Sequence, residues 1–89
     1  MRGRVAFPNG SRSYDATRLA VRFWGYDQSM EIPFFIGASV LAALQPAMAP
    51  EPEACLSAFD AHLSRIRDVA AKVYERRRSG SYDLLADDF

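Results

Sequence analysis

Two short segments of alternating residues, with four residues between them, constrain the fold of this chain most. Residues 19–25 and 30–36 each place apolar side chains at every second position, as a strand with one buried face requires. The tetrapeptide YDQS joins them and is short enough for an antiparallel hairpin. The sequence therefore predicts a hairpin at the centre of a small sheet.

The apolar side chains of this hairpin match best when Gly25 lies opposite Met30. Phe23 then faces Ile32, and each apolar residue of one face meets another, which a slip by one residue would prevent. The members of this first face are Leu19, Val21, Phe23, Met30, Ile32, Phe34 and Ile36. The second face is aromatic and charged, and its members are Arg22, Trp24, Tyr26, Glu31 and Phe35. Pro33 also lies there, and its missing N–H must point to an edge or a bulge.

The N-terminal part reads as a strand followed by turns. Residues 4–7 (RVAF) have strand character, and the turn formers of PNGS at 8–11 stop it. SYDATR at 13–18 predicts a second turn, in which the Asp15 carboxylate accepts backbone N–H groups one or two residues further on.

Helical signals follow the hairpin. Ser39 is the expected N-cap of a short helix that Pro46 stops. A stripe of apolar residues at spacings of three and four then predicts one long helix over about residues 52–78, with Gly80 as its C-cap. The stripe consists of Leu56, Phe59, Leu63, Ile66, Ala70 and Val73.

Together these elements predict a single small α+β domain over residues 1–89. Its antiparallel sheet contains the N-terminal strand, the central hairpin and a C-terminal strand from SYDLL at 81–85, with one short and one long helix packed on one face. The acidic tail at 83–89 is expected to fray.

The second face of the hairpin is expected to be an association surface, because two helices cover only one side of a small sheet. Trp, Tyr and Arg dominate such surfaces. The candidate partner-binding residues are therefore Arg22, Trp24, Tyr26, Glu31 and Phe35. The expected partner is a second copy of the chain or another small protein. Two alternatives remain: the N-terminal strand or the linker between the helices folds over this face, or the face is a platform for a small ligand.

An alternative function is nucleic-acid binding through the end of the long helix. Its candidate residues are Lys72, Arg76, Arg77 and Arg78, and the arginine-rich N-terminal third could extend their surface. Against this function, basic and acidic residues balance at eleven each and the pI is near 6.5. A helix C-terminus also favours arginine for structural reasons alone.

No arrangement of reactive residues predicts an enzyme. Cys55 and His62 occur once each, and one thiol with one imidazole cannot supply a three- or four-ligand metal site. Cys55 lies near the start of the long helix, where thiolates are favoured, but without a triad it and His62 are expected to be packed side chains. Neither a glycine-rich phosphate loop nor a pair of suitably spaced carboxylates occurs. The sequence therefore implies no cofactor, metal, small-molecule substrate or catalytic residue.

The cytoplasm is the expected location. A single cysteine allows no internal disulfide, and the start MRGRVAFPNGSRS has no apolar stretch of the length that a signal peptide needs. Residues 32–50 run uncharged, but three prolines and a glycine interrupt them, so no membrane span is expected.

Three stretches of the chain carry a resemblance to a known family. They are FPNGSRSYDATRLAVRFWGYDQSMEIPFFI, a short helix holding LAAL, and FDAHLSRIRDVAAKVYER, which together extend over about residues 7–76. The FP, YD, AVRFWG and MEIPFF segments are specific when taken together. In these features the chain resembles the small bacterial family known as domain of unknown function 1488. The resemblance implies a small α+β cytoplasmic protein with this hairpin and long helix, and it implies no catalytic residues.

Overall fold

The structure, a computed structural model, describes residues 4–8, 10–77 and 79–89 and has an α+β fold, as the sequence predicts. Its elements in chain order are β1 (Arg12–Asp15), β2 (Ala20–Asp27), β3 (Met30–Gly37), α1 (Ala38–Leu44), α2 (Pro52–Ala61), α3 (Leu63–Arg76), β4 (Tyr82–Leu84) and a 3₁₀ turn (Ala86–Asp88). The strands form one sheet in the order β1-β2-β3-β4.

The central hairpin forms, but its register differs by two residues from the prediction. Gly25 lies opposite Ile32 rather than Met30, and Met30 pairs with Asp27 at the end of the strands. The loop is therefore only two residues long, with Gln28 in the left-handed region at φ 58°. A shift of two residues keeps each side chain on its face, so the two faces of the hairpin are as predicted.

The turn before β2 places one predicted core residue in solvent. Leu19 adopts φ 52° and is 62% exposed, so its predicted place on the buried face is wrong. The turn is fixed by Asp15, whose Oδ1 accepts the backbone N–H groups of Thr17 and Arg18 at 3.0 and 3.1 Å. These are two and three residues further on, so the turn is wider than predicted and β2 begins only at Ala20.

The N-terminal edge of the sheet also differs from the prediction. β1 overlaps the start of the segment that the sequence predicts as a turn, and it pairs antiparallel with β2. The predicted strand at 4–7 instead contributes an isolated bridge, in which Ala6 and Tyr26 exchange two backbone hydrogen bonds of 2.8 Å. Pro8 and Gly10 lie between the two stretches. The chain therefore runs alongside β2 twice, with an interruption between.

The C-terminal strand is parallel to β3, so the sheet is mixed. Tyr82 lies opposite Phe34, and Leu84 lies opposite Ile36. Parallel neighbours need a long crossover connection, and α1, α2 and α3 supply it here.

Pro33 lies inside the hairpin without interrupting its ladder. Tyr26 directs both its backbone groups to Ala6, so Trp24, two residues earlier, also points its backbone groups away from β3. Pro33 is opposite Trp24 and therefore lies in a non-hydrogen-bonded pair. Its nitrogen points to the other side of β3, where the ladder with β4 begins only at Phe34. The nitrogen thus lies just beyond the end of this ladder on an interior strand, and faces neither an edge of the sheet nor a bulge.

The predicted long helix over residues 52–78 is two helices. α2 ends at Ala61 and α3 begins at Leu63, because His62 leaves helical geometry at φ −111° and ψ 22°. The His62 N–H is shared between the carbonyls of Ala58 and Phe59 at 3.1 and 3.2 Å, which tightens the last turn of α2. The apolar stripe continues across the break. Its fully buried members are Phe59, Ile66, Ala70 and Val73.

Neither of the two residues predicted to cap a helix does so. α1 begins at Ala38 with Gly37 as its N-cap, so Ser39 lies inside the first turn. α3 ends at Arg76, and extended Arg77 follows it, so Gly80 lies beyond the cap.

The acidic tail packs back onto the domain instead of fraying. Asp88 Oδ2 accepts the backbone N–H of Leu85 at 2.8 Å and the Nη2–H of Arg77 at 3.1 Å. Phe89 packs against the hydrophobic core. The structure therefore differs from the frayed end that the sequence predicts for residues 83–89.

Aromatic rings form the centre of the core, between the sheet and the helices. Phe34 is fully buried, and its ring centroid lies 5.3 Å from those of Phe23 and Tyr82. Phe7 reaches the same cluster from the N-terminal segment, at 5.7 Å from Phe34, and Phe59 joins it from α2, at 5.0 Å from Phe23. One aromatic cluster thus connects the strands, a helix and the N-terminal segment.

An ion pair between β1 and α2 is expected to make stability depend on pH in acid. Arg12 Nε and Nη2 donate to Asp60 Oδ1 and Oδ2 at 2.9 and 2.8 Å, and this hydrogen bonding holds the pKa of Asp60 below its usual value. A carboxyl whose pKa is lowered by folding stabilises the folded state above its unfolded pKa. This contribution disappears as the pH falls through the folded pKa. Since both side chains are partly exposed, screening limits it to about 0.2–1 kcal/mol.

Urea unfolding of wild type, Arg12→Gln, Asp60→Asn and the double variant, at neutral pH and at about pH 2, checks this expectation. At neutral pH the double variant should lose no more stability than either single variant. At the lower pH the difference between wild type and Asp60→Asn should vanish. Additive losses, or a difference that persists in acid, would show that the pair does not act as a unit.

Candidate interaction surface

The side of the sheet opposite the helices is the candidate surface, and we call it the outer face. Its members on β2 and β3 are Ala20, Arg22, Trp24, Tyr26, Glu31, Pro33 and Phe35. Asp83 of β4 joins them because it lies opposite Phe35. Within the described part of the chain, the hydrophobic core cluster includes none of these residues. The structure thus brings the five predicted partner-binding residues onto one surface, separate from the core.

One end of the outer face is centred on Trp24. The Arg22 guanidinium carbon lies 5.3 Å from the centre of the Trp24 ring, and Arg22 Nη2 lies 3.7 Å from Glu31 Oε1. Trp24 and Tyr26 are half-buried. An arginine that contacts both an indole and a carboxylate gives this end an apolar centre with a charged rim.

The other end of the outer face is centred on Phe35, which the structure places under an arginine. The Arg18 guanidinium carbon lies 4.0 Å from the centre of the Phe35 ring, and Arg18 Nη1 lies 3.6 Å from Asp83 Oδ1. Phe35 is only 8% exposed as a result. Sequence reasoning missed Arg18, because its position depends on the turn before β2.

A cavity opens beside this ring, and we call it the Phe35 cavity. Its volume is about 440 Å³. The residues around it include Arg18, Ala20, Phe35, Ser39, Val40 and Asp83. Three of them, Ala20, Phe35 and Asp83, belong to the outer face, so the cavity lies on the same side of the sheet as Trp24.

The described part of the N-terminal segment directs its large apolar side chains to the helical side of the sheet. Val5 and Phe7 pack against the core cluster, and the Arg67 guanidinium carbon lies 5.5 Å from the Phe7 ring centre. Met48, from the linker between α1 and α2, packs against the same core. Among the residues that the structure describes, Val5, Phe7 and Met48 thus lie on the side of the sheet opposite Trp24.

The residues predicted to bind nucleic acid differ in their surroundings. Lys72 and Arg76 are exposed on α3, whereas Arg77 donates to Asp88 at 3.1 Å. Arg78 lies outside the described residues. The tail thus places a carboxylate within the predicted basic patch, and nucleic-acid binding stays a prediction.

Cys55 and His62 have the environments of packed side chains. Cys55 is 1% exposed, and burial raises the pKa of its thiol, which disfavours the thiolate that a nucleophile requires. His62 Nε2 lies 3.2 Å from Gln45 Oε1, so the ring connects the break between α2 and α3 to the end of α1. Across residues 4–8, 10–77 and 79–89, no three His, Cys, Asp or Glu residues form a group that could hold a metal ion.

The described helices are also too short or too polar to cross a membrane.

Comparison with known proteins agrees with this fold. No curated protein matches the chain. A crystal structure of a protein of unknown function from the DUF1488 family of Shewanella loihica PV-4, at 1.60 Å resolution, is similar to the whole structure. The TM-score is 0.82, the sequence identity is 25%, and 94% of each chain is covered. The family model described as "Protein of unknown function (DUF1488)" matches residues 5–85, and the chain therefore belongs to the DUF1488 family.

Proposed function

We propose that this chain is a small, non-enzymatic, cytoplasmic interaction module that pairs with a second copy of itself through the outer face. The position of Trp24 carries the proposal. Its indole lies on a sheet face outside the core cluster, with the Arg22 guanidinium over its ring. Trp, Tyr and Arg are the residues that contribute most to protein interfaces, and all three types occur together there.

The charges of the outer face support a second copy over a partner of one sign. Arg22 lies close to Glu31, and Arg18 lies close to Asp83, so bases and acids alternate across the surface. A two-fold symmetric contact places the same patch on both sides of the interface. A face of one charge would repel itself, whereas this face can exchange ion pairs with its copy.

The size of the outer face limits the proposed dimer to a weak, reversible contact. β2 has eight residues, so with four strands the face measures roughly 26 by 14 Å. It therefore offers roughly 400 Å² per copy, or about 800 Å² in total, which is below the roughly 1,000 Å² expected of a stable specific interface. We expect dissociation constants of about 1 μM or weaker, because association must also offset lost rotation and translation.

Sedimentation velocity and light scattering over about 1 μM to 1 mM protein test the proposal. Wild type should pass from monomer to dimer in this range. The double variant Trp24→Ala, Tyr26→Ser should dimerise at least about tenfold more weakly, because it removes the aromatic centre of the interface. Phe35 is left intact, since its burial makes it a poor probe of a contact.

Met30→Ala is the matched control, because Met30 is an exposed apolar side chain that lies outside the outer face. It should dimerise like wild type. A wild-type chain that stays monomeric throughout, or a double variant that dimerises as strongly as wild type, would refute the proposal.

A further inference from the structure

We infer that Asp88 closes the free edge of β4 and so prevents β4 from pairing with the β4 strand of a second copy. β4 is the last strand in the order of the sheet, next to β3. A strand at this position offers backbone N–H and C=O groups to any other extended chain. The acidic tail that follows β4 engages these groups at their C-terminal end.

The backbone groups of Asp83 and Leu85 point to the free edge of the sheet. Pro33 directs its nitrogen to the β4 side of β3, and Phe35, two residues later, directs its backbone groups the same way. Phe35 lies opposite Asp83 in the parallel ladder. Its hydrogen bonds therefore go to the two residues that flank Asp83, and Asp83 itself faces away from β3. Leu85 is extended, at φ −103° and ψ 160°, so it continues this alternation and faces the same edge.

Asp88 engages both backbone groups of Leu85. Its Oδ2 accepts the Leu85 N–H at 2.8 Å, and its own N–H donates to the Leu85 carbonyl oxygen at 2.9 Å. Arg77 Nη2 donates to the same Oδ2 at 3.1 Å, and the Asp88 side chain is only 14% exposed. Phe89 packs against the core directly after it. The residue that follows β4 is therefore closed by a carboxylate that Arg77 and the end of the tail hold in place.

The pairing that Asp88 prevents is an antiparallel contact between two β4 strands. A two-fold axis perpendicular to the sheet would join the two sheets along this edge and close after one contact. The strand begins at Tyr82, after a bend, so the extended stretch that can pair is residues 82–85. With Asp83 opposite Asp83, two carboxylates would face each other, which is unfavourable. Each other register of this stretch uses the backbone groups of Leu85, and these are the groups that Asp88 holds.

Asp88→Ala tests the inference in a chain that also carries Trp24→Ala and Tyr26→Ser, so that contacts through the outer face do not contribute. Sedimentation velocity over about 1 μM to 1 mM protein should show association at least about tenfold stronger than in the parent double variant. Asp87→Ala removes the same charge at an exposed position and should leave association unchanged. Asp88→Asn keeps an oxygen that can accept the Leu85 N–H, so it too should associate no more strongly than the parent. Circular dichroism and thermal unfolding of each variant verify the fold.

Hydrogen exchange at the Leu85 amide, followed by NMR, gives a second measurement that needs no association. At a concentration where the chains are monomeric, this amide should exchange at least about tenfold faster in Asp88→Ala than in wild type or Asp87→Ala. Equal exchange rates would overturn the inference. So would an Asp88→Ala chain that associates no more strongly than its parent, or an Asp87→Ala chain that associates as strongly as Asp88→Ala.

The inference and the proposed function fail separately. Closure of the β4 edge is measured in chains that lack Trp24 and Tyr26, so a failure there leaves dimerisation through the outer face standing. A wild-type chain that stays monomeric refutes the proposed function alone, because Asp88 is expected to close the β4 edge in that monomer as well.

Discussion

Replacing Phe34 with alanine is expected to lower the free energy of unfolding by about 3–5 kcal/mol. Its ring is fully buried and lies within 5.7 Å, between centroids, of Phe7, Phe23 and Tyr82. Removing it leaves a cavity where the N-terminal segment, β2 and β4 all meet β3. A domain of this size has a total stability of about 5–10 kcal/mol, so this one substitution removes a large part of it.

Equilibrium unfolding in urea, followed by circular dichroism at a protein concentration where the chain is monomeric, measures this loss. Phe34→Leu keeps most of the volume and should cost only about 1–2 kcal/mol. Met30→Ala, at an exposed position of the same strand, should change stability by no more than about 0.5 kcal/mol. If Phe34→Ala cost no more than Phe34→Leu, the aromatic cluster would not be the centre of the core.

Gly25→Ala is expected to cost about 2–3 kcal/mol, because the N-terminal segment crosses β2 at this residue. A Cβ atom there would lie 2.6 Å from Val5 Cγ2, 2.7 Å from the Ala6 carbonyl oxygen and 2.9 Å from Phe7 Cε1. The carbonyl oxygen cannot rotate away, because it accepts the Tyr26 N–H at 2.8 Å. The segment must therefore shift as a whole and withdraw Phe7 from the core.

Gly10→Ala provides the matched control for this substitution. Among the described residues, no atom lies within 4 Å of the position that its Cβ would take, and its φ is not positive. Urea unfolding should show a change of no more than about 0.5 kcal/mol, with a gain possible because alanine restricts the unfolded chain. Equal losses at Gly10 and Gly25 would contradict the close crossing of the N-terminal segment.

Apart from the exposed end residues Leu19 and Met30, the sequence predicted the two faces of the hairpin correctly and its register incorrectly, for one physical reason. Alternation has a period of two, so a slip of two residues leaves each side chain on its own face. Only the loop decides between such registers. A two-residue loop requires Gln28 at positive φ, which a glutamine rarely adopts, so the residue types favoured the longer loop.

In the helices too, the sequence pattern predicts which side faces the core but does not predict where a helix breaks. The apolar stripe indicated the buried side of the helices, because burial depends on the periodicity: Phe59, Ile66, Ala70 and Val73 are buried, whereas Leu56 and Leu63 are half-buried. The break at His62 has no such signal, since neither proline nor glycine lies at the junction. The packing of the tail depends on a hydrogen bond between Arg77 and Asp88, and composition alone indicates only that the tail is acidic.

The sequence predicted which residues form the candidate surface, but it did not predict how deeply each of them is buried there. Trp24 and Phe35 share the outer face, as alternation requires. Yet Phe35 is buried whereas Trp24 is only half-buried, because the turn fixed by Asp15 positions Arg18 over the Phe35 ring. The recess beside Phe35 therefore arises from a turn, and local sequence patterns do not show where a turn directs a long side chain.

From the parallel pairing of β4 with β3 we expect β4 to join the sheet after the hairpin has formed. A hairpin closes locally, within about 1–10 μs, whereas β4 can dock only after the three intervening helices have brought Tyr82 back to Phe34. Until then β3 is an edge strand, with unpaired backbone groups beside its most apolar residues. Pro33, which offers no N–H on that side, shortens the stretch available for non-native strand pairing during this interval.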